Sequence, residues 1–403
     1  MNYVKPKWLY YRFAQVISWI AATLIFRRKI LRNEIKGRKG PFVVVANHEC
    51  MLDFVSMIGM TSRTMSFVIS RAIYSTLPIK GYLEKMGVIP KQQFQTSISD
   101  MKRIKAVVKA GEPLVIYPAG LMCEDGLSTP IPTATYRFLQ WLGVDVYAAR
   151  ISGSYFVMPK WAKGIRPGRT YMDVYKLFSA EEVKTLPEEE IRRRTEEAIL
   201  FDAYREQESH RVKYLGGSNL EGLQNVLYMC PHCKEEFSMT VSGGNTLRCS
   251  KCGYEQVSDG YSLLHNEKGI GPEIPYVSDW SRMIYNSLRE KISRGEEIEL
   301  SSPVKITMVD QKKKKHVEVG EGHITLSPQG FFIRGQIRGE EVSLEVPIHN
   351  VPTLPFKPGL HMDVQNGLDS YRCYPQDGRL VMKFINMVKI FHDLRVGEEV
   401  AAE

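Results

Sequence analysis

The 403-residue sequence lacks any run of about 18 or more uncharged apolar residues, which excludes a polytopic membrane protein. It lacks internal repeats, and Lys312–Lys315 is its only low-complexity stretch. A disordered chain is excluded too, because hydrophobic residues make up 43%, aromatics 10% and charged residues 25%, enough apolar surface for packed cores. Cysteine is scarce at seven residues. Acidic residues are scarce at one end: residues 1–40 hold ten Lys and Arg against the single acid Glu34. Over the whole chain the excess of bases gives a net charge of +9, which suits an anionic partner such as a lipid surface or nucleic acid.

Between those early cations lies Phe13–Phe26 (FAQVISWIAATLIF), almost wholly apolar. As a helix it would be about 21 Å long, too short for a hydrocarbon core of about 30 Å. Arg27, Arg28 and Lys29 stand where a signal peptide needs small residues for cleavage. A buried core helix is one reading. The reading adopted is an interfacial helix, with flanking Lys and Arg on phosphates and Trp8, Tyr10, Tyr11 and Trp19 at headgroup depth.

From about residue 40 to 177, short apolar runs alternate with helical patterns, as in an α/β layer fold. Phe42–Ala46 (FVVVA) reads as a buried strand, Ser97–Ala110 as a helix, and Thr170–Phe178 as a later, more exposed strand. Thr185-Leu-Pro-Glu188 reads as a capping box opening a charged helix to about Glu208. The resulting division is a basic membrane-attachment helix at 1–35, an α/β domain at 36–209, and a linker at 210–227. A cysteine module at 228–258, a connecting segment with a helix at 259–303 and a β-rich part with a C-terminal helix at 304–403 complete it.

Two patterns carry chemistry. Asn47-His48-Glu49-Cys50-Met51-Leu52-Asp53 follows the FVVVA strand directly. On a continuous helix His48 and Asp53 would not meet, but across a strand-to-helix turn Asp53 can accept from His48 and fix its tautomer. The other ring nitrogen is then left to take a hydroxyl proton. The second pattern is Cys230-x-x-Cys233 and Cys249-x-x-Cys252, with Gly243-Gly244-Asn245 as a hairpin tip between them. Four thiols at this spacing suit a closed structural zinc site in a zinc ribbon, and metal rather than disulfides implies a reducing cytoplasm. A rubredoxin-like iron centre and a pair of redox dithiols are the alternatives.

VVVANHECMLDF resembles the first block, Asn-His-x4-Asp, of the glycerolipid acyltransferase family (1-acylglycerol-3-phosphate and lysophospholipid acyltransferases). Gly87-Val-Ile-Pro-Lys-Gln-Gln93 is similar to the second block, Leu114-Val-Ile-Tyr-Pro-Ala-Gly120 to the third, and Val144–Ser154 to the fourth. The resemblance covers roughly residues 30–180. It implies acyl transfer from acyl-CoA or acyl carrier protein to a lyso-lipid acceptor, with His48 as general base and Asp53 orienting it. It also implies that Asn47, Lys91, Tyr117, Pro118 and Gly120 bind substrate. The family's phosphate-binding Arg is Gln93 here, with Lys91 the nearest substitute cation, and its Glu is Ala119. Residues 304–395 look like a pleckstrin-homology or GRAM-type barrel, and Lys312–Lys315 on a hairpin would face anionic headgroups. The expectation is therefore an α/β catalytic domain (a mixed sheet flanked by helices) with an N-terminal membrane-surface helix, a small zinc ribbon and a C-terminal mostly β domain. The protein would be peripheral to the inner, cytoplasmic face of the membrane, with no nucleic acid partner. The alternative is a catalytically degenerate fold serving as a lipid-binding scaffold.

Overall fold

The computed structural model describes residues 5–93, 97–310, 312–367 and 369–402, and the chain divides into two compact units. The first comprises the chain up to Lys160, Gly164–Gly217 and Gly260–Ser262; the second comprises Trp161–Lys163, Ser218–Asp259 and the chain from Leu263 onward.

The first unit begins with α1 (Trp8–Leu24), β1 (Lys29–Asn33), β2 (Phe42–Ala46), α2 (Asp53–Ile58) and β3 (Ser66–Ser70). Next come α3 (Arg71–Thr76), α4 (Lys80–Lys85), β4 (Ile89–Lys91), α5 (Ile98–Lys109) and β5 (Leu114–Ile116). After a long loop follow α6 (Ala134–Leu142), β6 (Asp145–Ser152), α7 (Ser154–Val157), β7 (Tyr171–Phe178), α8 (Glu182–Thr185), α9 (Glu188–Ile199) and α10 (Ala203–His210). The strands form one mixed sheet in the order β1-β7-β6-β2-β5-β3-β4, antiparallel only between β6 and β7.

The FVVVA run of β2 is buried throughout because it lies between two parallel neighbours under helices on both faces. Val43 and Val45 join Ile104, Val107, Tyr136, Leu139 and Ile191 on one face. Phe42, Val44 and Ala46 join Tyr11, Met57, Ile58 and Met172 on the other. The carboxyl end of β2 therefore emerges at a rigid, doubly covered centre of the sheet, where α/β folds place their sites.

The N-terminal expectation is corrected in two ways. Residues 29–33 are not helix but the edge strand β1, paired in parallel with β7; the cations there hid a five-residue strand. Helix α1 is also not a separate segment, because it packs into the first unit with most of its large side chains pointing outward. Tyr11, Ala14, Ser18 and Ala22 are its buried residues, whereas Trp8, Leu9, Phe13, Trp19 and Leu24 are each at least 60% exposed. Small residues on the inner face bring the backbone close to the core, and Gln15 Nε2 donates to the Ile58 and Thr61 carbonyls at 3.2 and 3.0 Å.

β7 is likewise not the exposed strand that its alternating pattern suggested. It lies inside the sheet between β1 and β6, with Met172 and Val174 fully buried. The capping box at 185–188 does not form: Thr185 Oγ1 bonds the Glu181 carbonyl at 2.9 Å, and Pro187 caps α9 without a side-chain bond. The single helix expected to Glu208 breaks at Leu200, and Asp202 caps α10 through the Tyr204 and Arg205 amides. The expected linker 210–227 carries buried Val212, Tyr214, Leu220, Leu223 and Leu227, so it is packed chain.

Gly153, between β6 and α7, adopts φ +85°, and a Cβ there would lie 2.6 Å from Tyr214 Oη and 3.0 Å from the Arg169 carbonyl. Gly153→Ala is therefore expected to cost about 1–3 kcal/mol. Urea denaturation checks this: the midpoint should fall with the m-value unchanged.

In the second unit, β8 (Met239–Ser242), β9 (Thr246–Cys249), β10 (Glu255–Ser258) and β11 (Leu264–His265) form a small antiparallel sheet. The ribbon thus reaches beyond residue 258, by one short strand. Gly243 and Gly244, both at positive φ, turn the β8–β9 hairpin. Helix α11 (Val277–Ser293) follows. Next come β12 (Leu300–Asp310), β13 (Lys315–Ser327), β14 (Gly330–Ile337), β15 (Glu340–Pro347), β16 (Phe356–Lys357), β17 (His361–Asn366) and β18 (Asp369–Pro375). These strands form an antiparallel sheet in the order β15-β14-β13-β12-β18-β17-β16. Val304, Ile306 and Met308 alternate inward along β12. Helix α12 (Leu380–Ala402) buries Val381, Phe384, Ile385, Met387 and Val388, with Phe384 stacked on Phe331. Lys312–Lys314 lie on the β12–β13 hairpin, where Asp310 Oδ1 accepts from the Lys312 and Lys313 amides.

Candidate active site

At the end of β2 the chain leaves the sheet and folds back before α2. Asn47 is 3% exposed, and its amide makes two 2.7 Å bonds to the backbone of Ile151 in β6, one to the N–H and one to the carbonyl. Those two bonds make it an anchor of the turn. His48 turns outward, its side chain 22% exposed. Its Nδ1 lies 2.9 Å from Asp53 Oδ2.

Asp53 opens α2 and is completely buried. Oδ2 also accepts the amides of Glu49 and Cys50 at 2.8 and 3.0 Å, and Oδ1 accepts the Cys50 thiol at 3.3 Å. These donors satisfy a carboxylate that would otherwise be costly to bury. With Nδ1–H donating to Asp53, Nε2 of His48 carries the lone pair, the arrangement a general base needs. Cys50 is tied to the carboxylate, and burial pushes its thiol pKa well above the usual range, so it is no nucleophile.

Tyr117 follows β5, and its ring centroid lies 4.7 Å from that of His48 at a 34° tilt. Burial, and then the charge of Asp53, keep its hydroxyl protonated, and that hydroxyl has no hydrogen-bond partner among the described residues. Gly120, at φ +69°, closes the turn after Pro118. Gln93 Nε2 donates to the Gly120 carbonyl at 2.6 Å, and Ser70 Oγ donates to Gln93 Oε1 at 2.9 Å. The second and third sequence blocks are thus joined by a neutral amide. Lys91 does not take the missing arginine's place openly: Nζ donates to the Gln92 carbonyl at 3.1 Å, and burial lowers its pKa. The structure therefore brings His48, Asp53 and Tyr117 together, and ties Gly120 to Gln93 beside them.

The four cysteines converge. The Sγ atoms of Cys230, Cys233, Cys249 and Cys252 all lie within 4.8 Å of one another. Cys230–Cys252 and Cys233–Cys249 are each 3.7 Å apart. An edge of about 3.8 Å is what a tetrahedron with metal–sulfur bonds of about 2.3 Å requires, so the thiols fit a zinc-type ion. Ser238 Oγ at 3.2 Å from Cys249 Sγ supports the ligand from behind. The first knuckle is tied to the helices of its own unit. Trp280 Nε1 donates to the Met229 carbonyl at 2.9 Å, and Arg379 Nη1 to the Phe237 carbonyl at 3.0 Å. Glu236 and Glu297 form a closed ring with Lys291 and Lys383, whose four ion pairs measure 2.6 to 3.3 Å.

Sequence reasoning missed Glu49 and its partners Ser154 and Tyr155. The available signal was a second acidic residue, besides Asp53, directly next to His48.

Residues 27–152, which contain every residue from Asn47 to Gly120 discussed above, match the family model described as Acyltransferase. The match supports an acyltransferase. Among solved structures, the chain is similar to the 1-acyl-sn-glycerophosphate (LPA) acyltransferase PlsC from Thermotoga maritima. That likeness has 19% identity and a TM-score of 0.41, covering 47% of this chain and 76% of that one. It is also similar to the Ran binding domain of the nuclear complex component Nup2 from Ashbya gossypii, with 13% identity, a TM-score of 0.19 and coverages of 24% and 99%.

Proposed function

We propose that this protein is a membrane-peripheral acyltransferase of phospholipid biosynthesis. It would move an acyl chain from acyl-CoA or acyl carrier protein to the hydroxyl of a lyso-glycerolipid. The observation that carries the reading is the His48–Asp53 pair, with Asp53 saturated by donors and the His48 side chain 22% exposed, its Nε2 turned away from the Nδ1–Asp53 bond. His48 Nε2 takes the acceptor's hydroxyl proton as its oxygen attacks the thioester carbonyl carbon. Asp53 stabilises the imidazolium, the tetrahedral intermediate collapses, and the thiol leaves with a proton returned from His48. No covalent acyl-enzyme is needed, consistent with the tied-down Cys50. Tyr117, Pro118 and Gly120 line the acceptor side, and the neutral Gln93 bridge favours an acceptor without a phosphate monoester at that position.

The outward apolar face of α1, flanked by Lys5, Lys7, Arg12 and Arg27–Lys29, suits burial at an anionic bilayer surface. That is our basis for a position on the inner, cytoplasmic face of the membrane. Cys230, Cys233, Cys249 and Cys252 would hold a structural zinc, since four thiolates leave no position for substrate.

The test is transfer from radiolabelled acyl-CoA and acyl carrier protein to a panel of lyso-lipids in anionic vesicles, comparing wild type with His48→Ala. We expect product from wild type, a rate at least about 1,000-fold lower for the variant, and flotation of both proteins with the vesicles. Absence of product from both, across all donors and acceptors, would leave the lipid-binding scaffold as the better reading. Failure to float would remove the membrane part alone.

A further inference from the structure

Glu49 lies next to the proposed base, yet the chemistry above gives it no part. Its side chain is 1% exposed. Oε2 accepts from the Tyr155 amide at 3.1 Å and the Ser154 hydroxyl at 3.3 Å, and Oε1 is buried without a hydrogen-bond partner among the described residues. On the other side of His48, Asn47 is bonded twice to Ile151. His48 is therefore the outward member of a three-residue turn. Both inward neighbours are tied to one stretch of chain, Ile151–Tyr155, running from the end of β6 into α7. A base carried on a turn is placed only as well as the turn's anchors allow.

We propose that Glu49 is a positioning residue that locks the His48 turn to the β6–α7 junction. The proposal rests on the acyltransferase reading for its kinetic readout. The groups that face Glu49 are Asp53 on α2, Ser154 and Tyr155 on α7, Cys123 in the loop after β5, Tyr214, and Glu206 on α10. None of these is a cation, and an ionised Glu49 would leave one oxygen bare beside the Asp53 carboxylate. Burial first, and Asp53 second, raise the Glu49 pKa well above the carboxylate range. A neutral acid still accepts the two bonds that define the anchor.

Glu49→Gln, Glu49→Ala and Ser154→Ala would be compared with wild type in the transfer assay, and by NMR of the 15N-labelled His48 imidazole across pH. Gln keeps the shape and both acceptor bonds without charge, so its kcat should stay within about twofold of wild type with the same pH profile. Ala strands a buried amide and hydroxyl, so kcat should fall about 10- to 100-fold with KM little changed. Its imidazole should lose the single-tautomer signature, and Ser154→Ala should fall between the two. An Ala variant with wild-type kcat and wild-type imidazole spectrum overturns the proposal. So does a Gln variant as impaired as Ala, since the charge would then be in use. If Ala does not fold, the Gln and Ser154→Ala results decide, and a Gln variant more than about tenfold slower is fatal. If wild type transfers no acyl group, the acyltransferase reading fails by itself, and the imidazole spectra still decide the role of Glu49.

Discussion

Replacing Asp53 by Asn is expected to lower kcat by about 100- to 10,000-fold while the protein stays folded. Three donors converge on Oδ2: His48 Nδ1 and the amides of Glu49 and Cys50. An asparagine has only one oxygen to offer. If its oxygen takes that place, the hydrogen bonds survive but the charge that stabilises the imidazolium is gone. If its nitrogen takes that place, three donors face a fourth, and His48 must flip to the tautomer that cannot accept a proton at Nε2. Both outcomes would remove the proposed general-base catalysis. Steady-state kinetics with a thermal melt provide the check. A loss smaller than about tenfold in a folded variant would show that Asp53 is structural only.

Removing the proposed zinc from the four-cysteine cluster is expected to loosen far more than the ribbon. Structural zinc contributes apparent binding energies of about 10 kcal/mol or more, comparable to the whole stability of a domain. The first knuckle is connected to α11 through Trp280 and Lys291, and to α12 through Lys383. Lys383 is 9% exposed, so losing Glu236 leaves a buried cation short of one partner, a costly state. Amide hydrogen exchange before and after zinc extraction should show protection in α11 and α12 falling at least about tenfold along with that of β8–β11. Melting of the ribbon with both helices still protected would show that the ion-pair ring does not couple them.

Some of this was legible in the sequence because it is local. A five-residue apolar run reads as the buried centre of a sheet, and His48 and Asp53 lie on the two sides of one turn, so their meeting needed only a fold-back. Two Cys-x-x-Cys turns with a Gly-Gly-Asn tip state their own geometry. The rest depended on contacts between distant parts of the chain. The anchoring role of Asn47 was not legible because its partner, Ile151, is 104 positions away. Gln93 looked like a deletion of charge, whereas its amide is a bridge between Ser70 and Gly120. Strand β1 was hidden because an edge strand paired on one side can carry Lys29 and Arg32 without burying them. Thr185 and Glu188 have the spacing of a cap, but the hydroxyl was claimed first by the preceding turn.

The inside-out arrangement of α1 makes the N-terminal helix part of the support for the His48 turn. Tyr11 and Phe26 fill space in the core, and Gln15 closes the carbonyls of Ile58 and Thr61 at the end of the helix that Asp53 begins. The Ile25 and Phe26 carbonyls hold the Gly168 and Thr170 amides. Cutting the chain ahead of β1 would withdraw part of the floor on which the histidine stands. One helix thus carries two faces with different duties: its inner residues belong to the packing beneath α2, while its outer apolar face is left for the proposed membrane surface.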